Sequence, residues 1–162
     1  MVEISRIEEE RWEEYRDLRL DALKNEPIAF GSAYEEEKSM NEDVWRQRLK
    51  NALFAIENGK LVGMIVFVFN PNIKTNHIAN IFGVYVESEY RGRGIGKKLL
   101  DSVLEAIKEN WDIVKINLSV NVQQEAAIGL YEKCGFEKIG MLKKELRIDG
   151  IFYDELIMEK FL

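Results

Sequence analysis

The feature that most constrains this fold is a short run of glycines and basic residues between a strand-like segment and an amphipathic helix. The run is Arg91-Gly92-Arg93-Gly94-Ile95-Gly96-Lys97. Before it, residues 78–86 are rich in β-branched and aromatic side chains, which favour a half-buried strand. After it, apolar residues recur at helical spacing from Leu99 to Ile107. A loop entering a helix leaves unpaired amide hydrogens at the positive end of the helix dipole, so the run predicts a diphosphate-binding site.

Two familiar phosphate-binding motifs do not fit this run. The dinucleotide motif GxGxxG, started at Gly92, needs glycine or alanine where Lys97 stands. A P-loop ending in Gly96-Lys97 needs serine or threonine at Lys98 and glycine at Arg91. What remains, RxxGxG before a helix, resembles the acetyl-CoA loop of the GNAT superfamily, the acetyl-CoA-dependent N-acyltransferases.

A second segment strengthens this resemblance. Residues 121–136 read NVQQEAAIGLYEKCGF and are similar to the second motif of the superfamily, a helix carrying NxxAIxLYxK followed by GF. Where the superfamily usually has asparagine, seven residues before the tyrosine, this chain has Gln124. Residues 149–155 and 158–160 also resemble the last hairpin strand of many such enzymes. The matched segments cover roughly residues 78 to 160, and the first half of the chain matches only in its order of elements.

The order of the predicted elements indicates the fold class. Asn58-Gly59 and Asp149-Gly150 favour the type I′ turns that close hairpins. Two candidate capping boxes, at residues 32–35 and 39–42, predict one broken helix or two short helices over about residues 33–51. We expect a three-layer, GNAT-like α/β (α+β) fold, in which a mixed, mostly antiparallel sheet of seven strands is flanked by about four helices.

Length and composition narrow the class of protein. The 162 residues match one domain, so we expect a single N-acetyltransferase domain over residues 1–162. With 46% apolar and 32% charged residues, no apolar run of membrane-spanning length and no apparent secretory signal, the chain is expected in the cytoplasm without a membrane partner.

The net charge of −6 argues against nucleic acid as a partner and would attract a cationic amine. The single cysteine, Cys134, agrees with a reducing compartment. Dimers are common in the superfamily, so the resemblance allows a homodimer.

The resemblance also implies how acetyl-CoA, the co-substrate, is held. The backbone of residues 84–86 is expected to hydrogen-bond the pantetheine arm as an added strand, where two parallel strands splay apart. Gly83 suits either a bulge, which would expose the Val84 amide as an oxyanion donor, or the close approach of a packed neighbour. No metal ion is implied. The expected cofactor-binding residues are Val84, Tyr85, Val86, Arg91, Gly92, Arg93, Gly94, Ile95, Gly96, Lys97, Asn121, Gln124, Tyr131 and Lys133.

Tyr131 is the candidate general acid. By resemblance, the matching tyrosine protonates the departing thiolate, whereas the other interpretation is that Tyr131 packs against the cofactor and its hydroxyl has another partner. Cys134 is a weaker candidate as an acetyl carrier, because it precedes the Gly135-Phe136 helix stop, where a small apolar side chain packs well. We therefore expect direct attack by the amine in a ternary complex.

The general base is not evident from the sequence. Many relatives carry a glutamate on the strand that runs into the pantetheine site, but residues 77–86 contain no carboxylate. Water relays to Glu35, Glu36 or Glu37, or direct use of His77, are the hypotheses, and each of these residues also has an ordinary surface interpretation. The candidate substrate residues are Phe30, Glu35, Glu36 and Tyr153.

These observations predict an enzyme that transfers an acetyl group from acetyl-CoA to a primary amine. The acceptor is left open among a small amine or polyamine, an amino acid, a drug-like amine and a protein N-terminal amino group. A non-catalytic acyl-CoA-binding or sensing module is the alternative, and the presence of Tyr131 argues weakly against it.

Overall fold

The computed structural model describes residues 1–162 and contains seven β-strands and five α-helices. The strands are β1 Glu3–Ser5, β2 Ala52–Glu57, β3 Lys60–Phe69, β4 Ile78–Val86, β5 Lys115–Asn121, β6 Glu137–Ile148 and β7 Ile151–Phe161. The helices are α1 Trp12–Asn25, α2 Tyr34–Glu37, α3 Glu42–Leu49, α4 Ile95–Lys108 and α5 Glu125–Lys133. The segment before β2 contains two short helices, which is one of the two predicted possibilities.

The strands form one mixed sheet in the order β1-β2-β3-β4-β5-β7-β6. Every neighbouring pair is antiparallel except β4 and β5. These two are parallel because α4 carries the chain back across the sheet between them. Left-handed backbone at Asn58-Gly59 and Asp149-Gly150 closes the two predicted hairpins. The expected fold class is confirmed.

Helices cover both faces of the sheet. On one face, Tyr15 of α1 meets the rings of Trp45 and Phe54 edge-on, at centroid distances of 5.5 Å and 5.3 Å. On the other face, α4 buries the apolar stripe that its sequence predicts, including Leu99 and Ile107, together with Tyr131 of α5. The sheet therefore lies between two apolar cores. None of the helices has the length and hydropathy needed to cross a membrane.

The caps of the two short helices differ from the prediction. At the start of α2 the amide of Ala33 donates to Glu36 Oε2 at 3.0 Å, and at the start of α3 the Val44 amide donates to Asn41 Oδ1 at 3.2 Å. Both predicted capping boxes are therefore wrong in register. Serine and asparagine are nearly equivalent as N-caps, so the local sequence does not distinguish Ser39 from Asn41.

Candidate active site

The candidate site lies where the two parallel strands separate in the middle of the sheet. β4 and β5 pair only over residues 78–80 and 115–117. Farther along, β4 stays paired with β3 on its other side, and β5 stays paired with β7. The facing edges of residues 81–86 and 118–121 are therefore open, as expected from the resemblance.

Gly83 forms a bulge in the open part of β4. Its φ is +60°, and the β3–β4 register shifts between Met64 and Val66, so that β4 has one more residue than β3 at this point. A Cβ on Gly83 would lie 3.1 Å from Arg19 Nη1. Both interpretations of this glycine thus apply, since it forms the bulge and also allows a close approach by Arg19. The bulge redirects the backbone around Val84.

Three cavities meet at this opening. The groove, of about 440 Å³, runs between β4 and the start of α5 and is lined by Arg91, Val84 and Gln124 among others. The central cavity, of about 70 Å³, lies between the splayed strands and contains Tyr131 in its wall. The large cavity, of about 490 Å³, opens toward α1 to α3. The groove shares Val84 and Gln124 with the central cavity, which shares Gly83 with the large cavity, so the three adjoin one another and are together called the cleft.

The glycine-rich loop has six consecutive free amides directly after Arg91, which lines the groove, although residues 92–97 do not line it themselves. None of the amides from Gly92 to Lys97 donates to a backbone carbonyl, and the hydrogen bonds of α4 begin with the Lys98 amide. Gly92 and Gly94 have φ of +74° and +75°, and nothing lies within 4 Å of the position of a Cβ on either. Free amides at the N-terminus of a helix form an anion-binding concavity. The geometry therefore fits the diphosphate of acetyl-CoA.

The basic side chains of the loop are engaged in surface ion pairs. Arg91 lines the groove, where its Nε also donates to the Val86 carbonyl at 2.8 Å. The ion pairs are Arg91 with Glu26, Arg93 with Glu57 and Lys97 with Asp101. Such pairs are weak because water solvates both partners, so a bound diphosphate can replace the carboxylates.

Four predicted cofactor residues are placed differently from the others. The side chain of Ile95 is buried in the core, and Gly96 allows α4 to approach Leu130 of α5, so these two residues can contribute only their free backbone amides. Lys133 is exposed at the end of α5 and lines none of the three cavities. Asn121 lines the large cavity rather than the groove. The geometry therefore gives no support to cofactor contacts by the side chains of these residues.

Tyr131 lies at the narrowest part of the cleft. Its ring is 6% exposed, packs edge-on against Phe136 at a centroid distance of 6.0 Å and lines the central cavity. Burial raises the pKa of the phenol far above its usual value, because a phenolate would be desolvated there. The hydroxyl, protonated at neutral pH even at its ordinary pKa, therefore stays protonated in this site, as a proton donor must be.

The large cavity has a charged wall built on a buried carboxylate. Glu37 is 1% exposed and accepts from Arg19 Nε at 3.0 Å, from Arg19 Nη2 at 2.9 Å and from Arg48 Nη1 at 2.9 Å. Burial favours a raised pKa for Glu37, but the hydrogen bonds and charges of the two guanidiniums outweigh it, so the pKa is lowered. Glu37 is therefore held ionised and is a poor proton acceptor.

Glu155 of β7 lines the same cavity in a contrasting environment. Burial and the nearby charge of Glu145 raise its pKa. It pairs across the ladder with Asn121, which is 2% exposed and whose Nδ2 has no hydrogen-bond partner. The sequence alone did not identify Glu155. It is one of several acidic residues on β7, and only the tertiary structure, which pairs β7 with β5, places it at the cavity.

Of the four predicted substrate residues, Phe30 alone lines the large cavity. It is buried, and the guanidinium of Arg19 lies 4.6 Å from its ring centroid. Glu35 is exposed and pairs with a lysine one turn away, while Glu36 caps α2. Tyr153 lies in the β6–β7 ladder. These three line none of the cavities, because short-range contacts hold the two glutamates at the surface and the hairpin holds the tyrosine.

His77 is also away from the cleft. It precedes β4 at the end where β4 and β5 are paired, and its carbonyl accepts from the amides of Val114 and Lys115. The geometry therefore offers it no route to an amine in the cleft. No group of three or more His, Cys, Asp and Glu side chains with the arrangement of a metal site occurs in the protein.

Comparison with known proteins agrees with this geometry. Residues 4–136 match the model of the Acetyltransferase (GNAT) family. The chain is 33% identical over 105 residues to an uncharacterized N-acetyltransferase of Methanocaldococcus jannaschii, a match that covers 63% of this chain and 46% of that protein. It is 29% identical over 126 residues to the L-amino acid N-acetyltransferase AaaT of Escherichia coli, covering 74% of this chain and 76% of that protein.

The fold is also found among solved structures. An acetyltransferase of the GNAT family from Streptococcus pneumoniae superposes with a TM-score of 0.88 at 22% identity, covering 100% of this chain and 99% of that one. At this identity the likeness concerns the fold.

Proposed function

The chain belongs to the GNAT family of acetyl-CoA-dependent N-acetyltransferases, and from that premise we propose that residues 1–162 act as one domain that acetylates a primary amine by direct attack in a ternary complex. One observation carries the proposal. Adjoining cavities lead from Arg91, at the start of the glycine loop, past Tyr131, to a polar cavity on the far side of the splayed strands. Such a cleft accommodates donor and acceptor together.

The residues of the groove would hold acetyl-CoA, which supplies the acetyl group as a thioester. The amides from Gly92 to Lys97 bind the diphosphate, and Arg91 adds a charge at the entrance of the groove. The open edge of β4 over residues 84–86 binds the amides of the pantetheine arm, as an added strand would. Gln124, at the junction of the groove and the central cavity, is placed to bind the same arm.

Three groups of this chain act on the reacting atoms. Glu155 removes a proton from the ammonium group, since its raised pKa makes it a stronger base than an ordinary carboxylate. The amide of Val84, beside the bulge, donates to the carbonyl oxygen of the thioester. Tyr131 gives its hydroxyl proton to the sulfur as the C–S bond breaks and the C–N bond forms. The nitrogen's second proton restores Tyr131 through solvent, so one proton is released per turnover.

Cys134 is not part of this mechanism. It lies at the end of α5, lines none of the three cavities and is partly buried. Burial and the charge of Asp101 raise the pKa of its thiol, so little thiolate is present at neutral pH. Transfer through an acetylated cysteine is therefore disfavoured.

A thiol-release assay with acetyl-CoA and a panel of amines, amino acids and amino-terminal peptides tests the proposal. We expect release of CoA that depends on the amine and saturates with it, and no acetylated enzyme in the absence of acceptor. Tight CoA binding without release for any acceptor would instead support a sensing module. Failure to bind CoA would contradict the assignment of the groove.

A further inference from the structure

We propose that the acceptor is an amino acid whose free carboxylate binds the guanidiniums of Arg19 and Arg48 in the large cavity. This inference rests on the proposed function and narrows the class of amine. It assigns a ligand to a charged wall that the transfer of the acetyl group itself does not use.

Positive and negative charges lie on different sides of the large cavity. Two guanidiniums face one carboxylate, and the lowered pKa of Glu37 shows that this carboxylate is fully ionised at neutral pH. These three side chains therefore carry one net positive charge, and the ionised Glu155 on the β7 side of the same cavity carries one negative charge. A cavity with positive charge on one side and negative charge on the other favours a zwitterion, whose carboxylate faces the arginines and whose ammonium group faces Glu155.

Both guanidiniums have donors left for a ligand. Glu37 accepts hydrogen bonds from Nε and Nη2 of Arg19 and from Nη1 of Arg48. Arg19 Nη1 therefore does not bind Glu37 and can donate to a ligand. The bidentate hydrogen bonds to Glu37 and the contact with the ring of Phe30 hold the guanidinium of Arg19 in place. A guanidinium that is already oriented loses little entropy when it binds a carboxylate.

Arg19 lies close to the proposed reaction centre, so it would hold the carboxylate of the acceptor near the thioester. Arg19 Nη1 lies 3.1 Å from the position of a Cβ on Gly83, and Gly83 lines both the large and the central cavities. A carboxylate bound there lies beside the bulge that directs the Val84 amide. The amino group of an α-amino acid, one carbon away from its carboxylate, then lies at the opening to the central cavity. Glu155 lines the same cavity, on the β7 side.

The wall also discriminates between classes of amine. A polyamine would place a second cation near two arginines, which is electrostatically unfavourable. A protein N-terminus has a peptide carbonyl where an amino acid has its carboxylate, and so leaves the positive charge unpaired. The remaining wall includes Val66, Val68 and Phe82, which suit an apolar side chain.

Matched acceptors test the inference on the unaltered enzyme. The probes are L-leucine, L-methionine and L-phenylalanine, each compared with its carboxamide, with spermidine and an alanine-initiated peptide as further acceptors. We expect kcat/KM at least about tenfold higher for each acid than for its amide, the size of a lost charged hydrogen bond. The α-amino group of an amino acid amide has a pKa of about 8, which is lower than the pKa of the amino group in the free amino acid. More of the amide is therefore present as the reactive free amine at neutral pH, so a preference for the acid does not come from the basicity of the amine.

A pair of arginine variants on α3 locates the effect. Arg48→Gln should lower the ratio of kcat/KM for the acid to kcat/KM for the amide by about tenfold, while Arg48→Lys restores part of that ratio. Arg46→Gln is the control, because Arg46 is on the same helix but binds Glu42 away from the cavity. Circular dichroism checks that each variant is folded.

The two proposals fail in different ways. If amides or polyamines react as fast as amino acids on the unaltered enzyme, the carboxylate site is wrong and the acetyltransferase assignment stands. If Arg48→Gln lowers the rates with acid and amide equally, the carboxylate site is also contradicted. If no acceptor of any class is acetylated, the proposed function itself fails.

Discussion

At the scale of the residue, two glutamates on one cavity have contrasting environments. Glu37 faces two guanidiniums and its pKa is lowered, whereas Glu155 is desolvated near another carboxylate and its pKa is raised. Pairs of titratable groups whose environments separate their pKa values are typical of sites where one group holds charge and the other moves protons. In our account Glu37 holds the arginines and Glu155 is the base.

The first prediction concerns Glu155. Glu155→Gln should lower kcat/KM by about 100-fold, in the range for loss of a general base. In the unaltered enzyme, kcat/KM should fall as the pH drops through the raised pKa of Glu155, since only the ionised carboxylate accepts a proton. Glu145→Gln removes one cause of that raised pKa, so the fall should move to lower pH. Initial rates across pH for the three proteins check this, and an unchanged profile in Glu155→Gln would remove Glu155 from the mechanism.

The second prediction concerns Tyr131. Tyr131→Phe keeps the packing against Phe136 but removes the proton donor, so kcat should drop by about 100-fold while the Kd of acetyl-CoA changes little. Tyr153→Phe is the matched control, because Tyr153 lines none of the three cavities. Steady-state kinetics and calorimetric binding provide the two quantities. Full turnover in Tyr131→Phe would favour the interpretation that this tyrosine only packs.

At the scale of the element, the glycine loop and α4 are specified by local sequence. Gly94 is the N-cap of α4 in left-handed backbone, with open space beside it. Gly94→Ala should raise the Kd of CoA at least about tenfold, because a Cβ there crowds the diphosphate and because about 1–2 kcal/mol of strain shifts the free loop away from the left-handed conformation that binds it. Gly150→Ala has a similar φ, +81°, and equally open space, but lies at the tip of a hairpin. It should destabilise the fold without changing CoA affinity.

Calorimetric titration with CoA, together with urea unfolding, separates these two effects. Equal loss of CoA affinity in the two glycine variants would mean that the loop does not bind the diphosphate.

Elements also show which parts of the site the sequence can predict. The loop, α5 with Tyr131 and both hairpin turns depend on residues close together in the chain, and their chemistry is readable there. The large cavity cannot be predicted in this way, because its charged residues are far apart in the chain and no sequence pattern connects them. They are Arg19 on α1, Glu37 on α2, Arg48 on α3 and Glu155 on β7. Tertiary packing brings them together. The predicted capping boxes are out of register because Asn41 replaces Ser39 as the N-cap of α3, and because α2 begins after Ala33, which has no capping side chain.

At the scale of the whole molecule, the sheet produces the site by failing to pair. Seven strands hydrogen-bond along their neighbours, but β4 and β5 separate after three residue pairs. The separation leaves one open strand edge for the donor and a passage to the cavity under α1 to α3. Residues from both halves of the chain thus line a single cleft, although only the second half carries recognisable motifs.

The crystal structure of a complex with CoA tests this central claim most directly. We predict the diphosphate on the amides from Gly92 to Lys97, the pantetheine arm along residues 84–86 and the sulfur within hydrogen-bond reach of Tyr131 Oη, as a direct proton transfer requires. A CoA molecule bound elsewhere, or one whose thiol does not enter the space between β4 and β5, would contradict it.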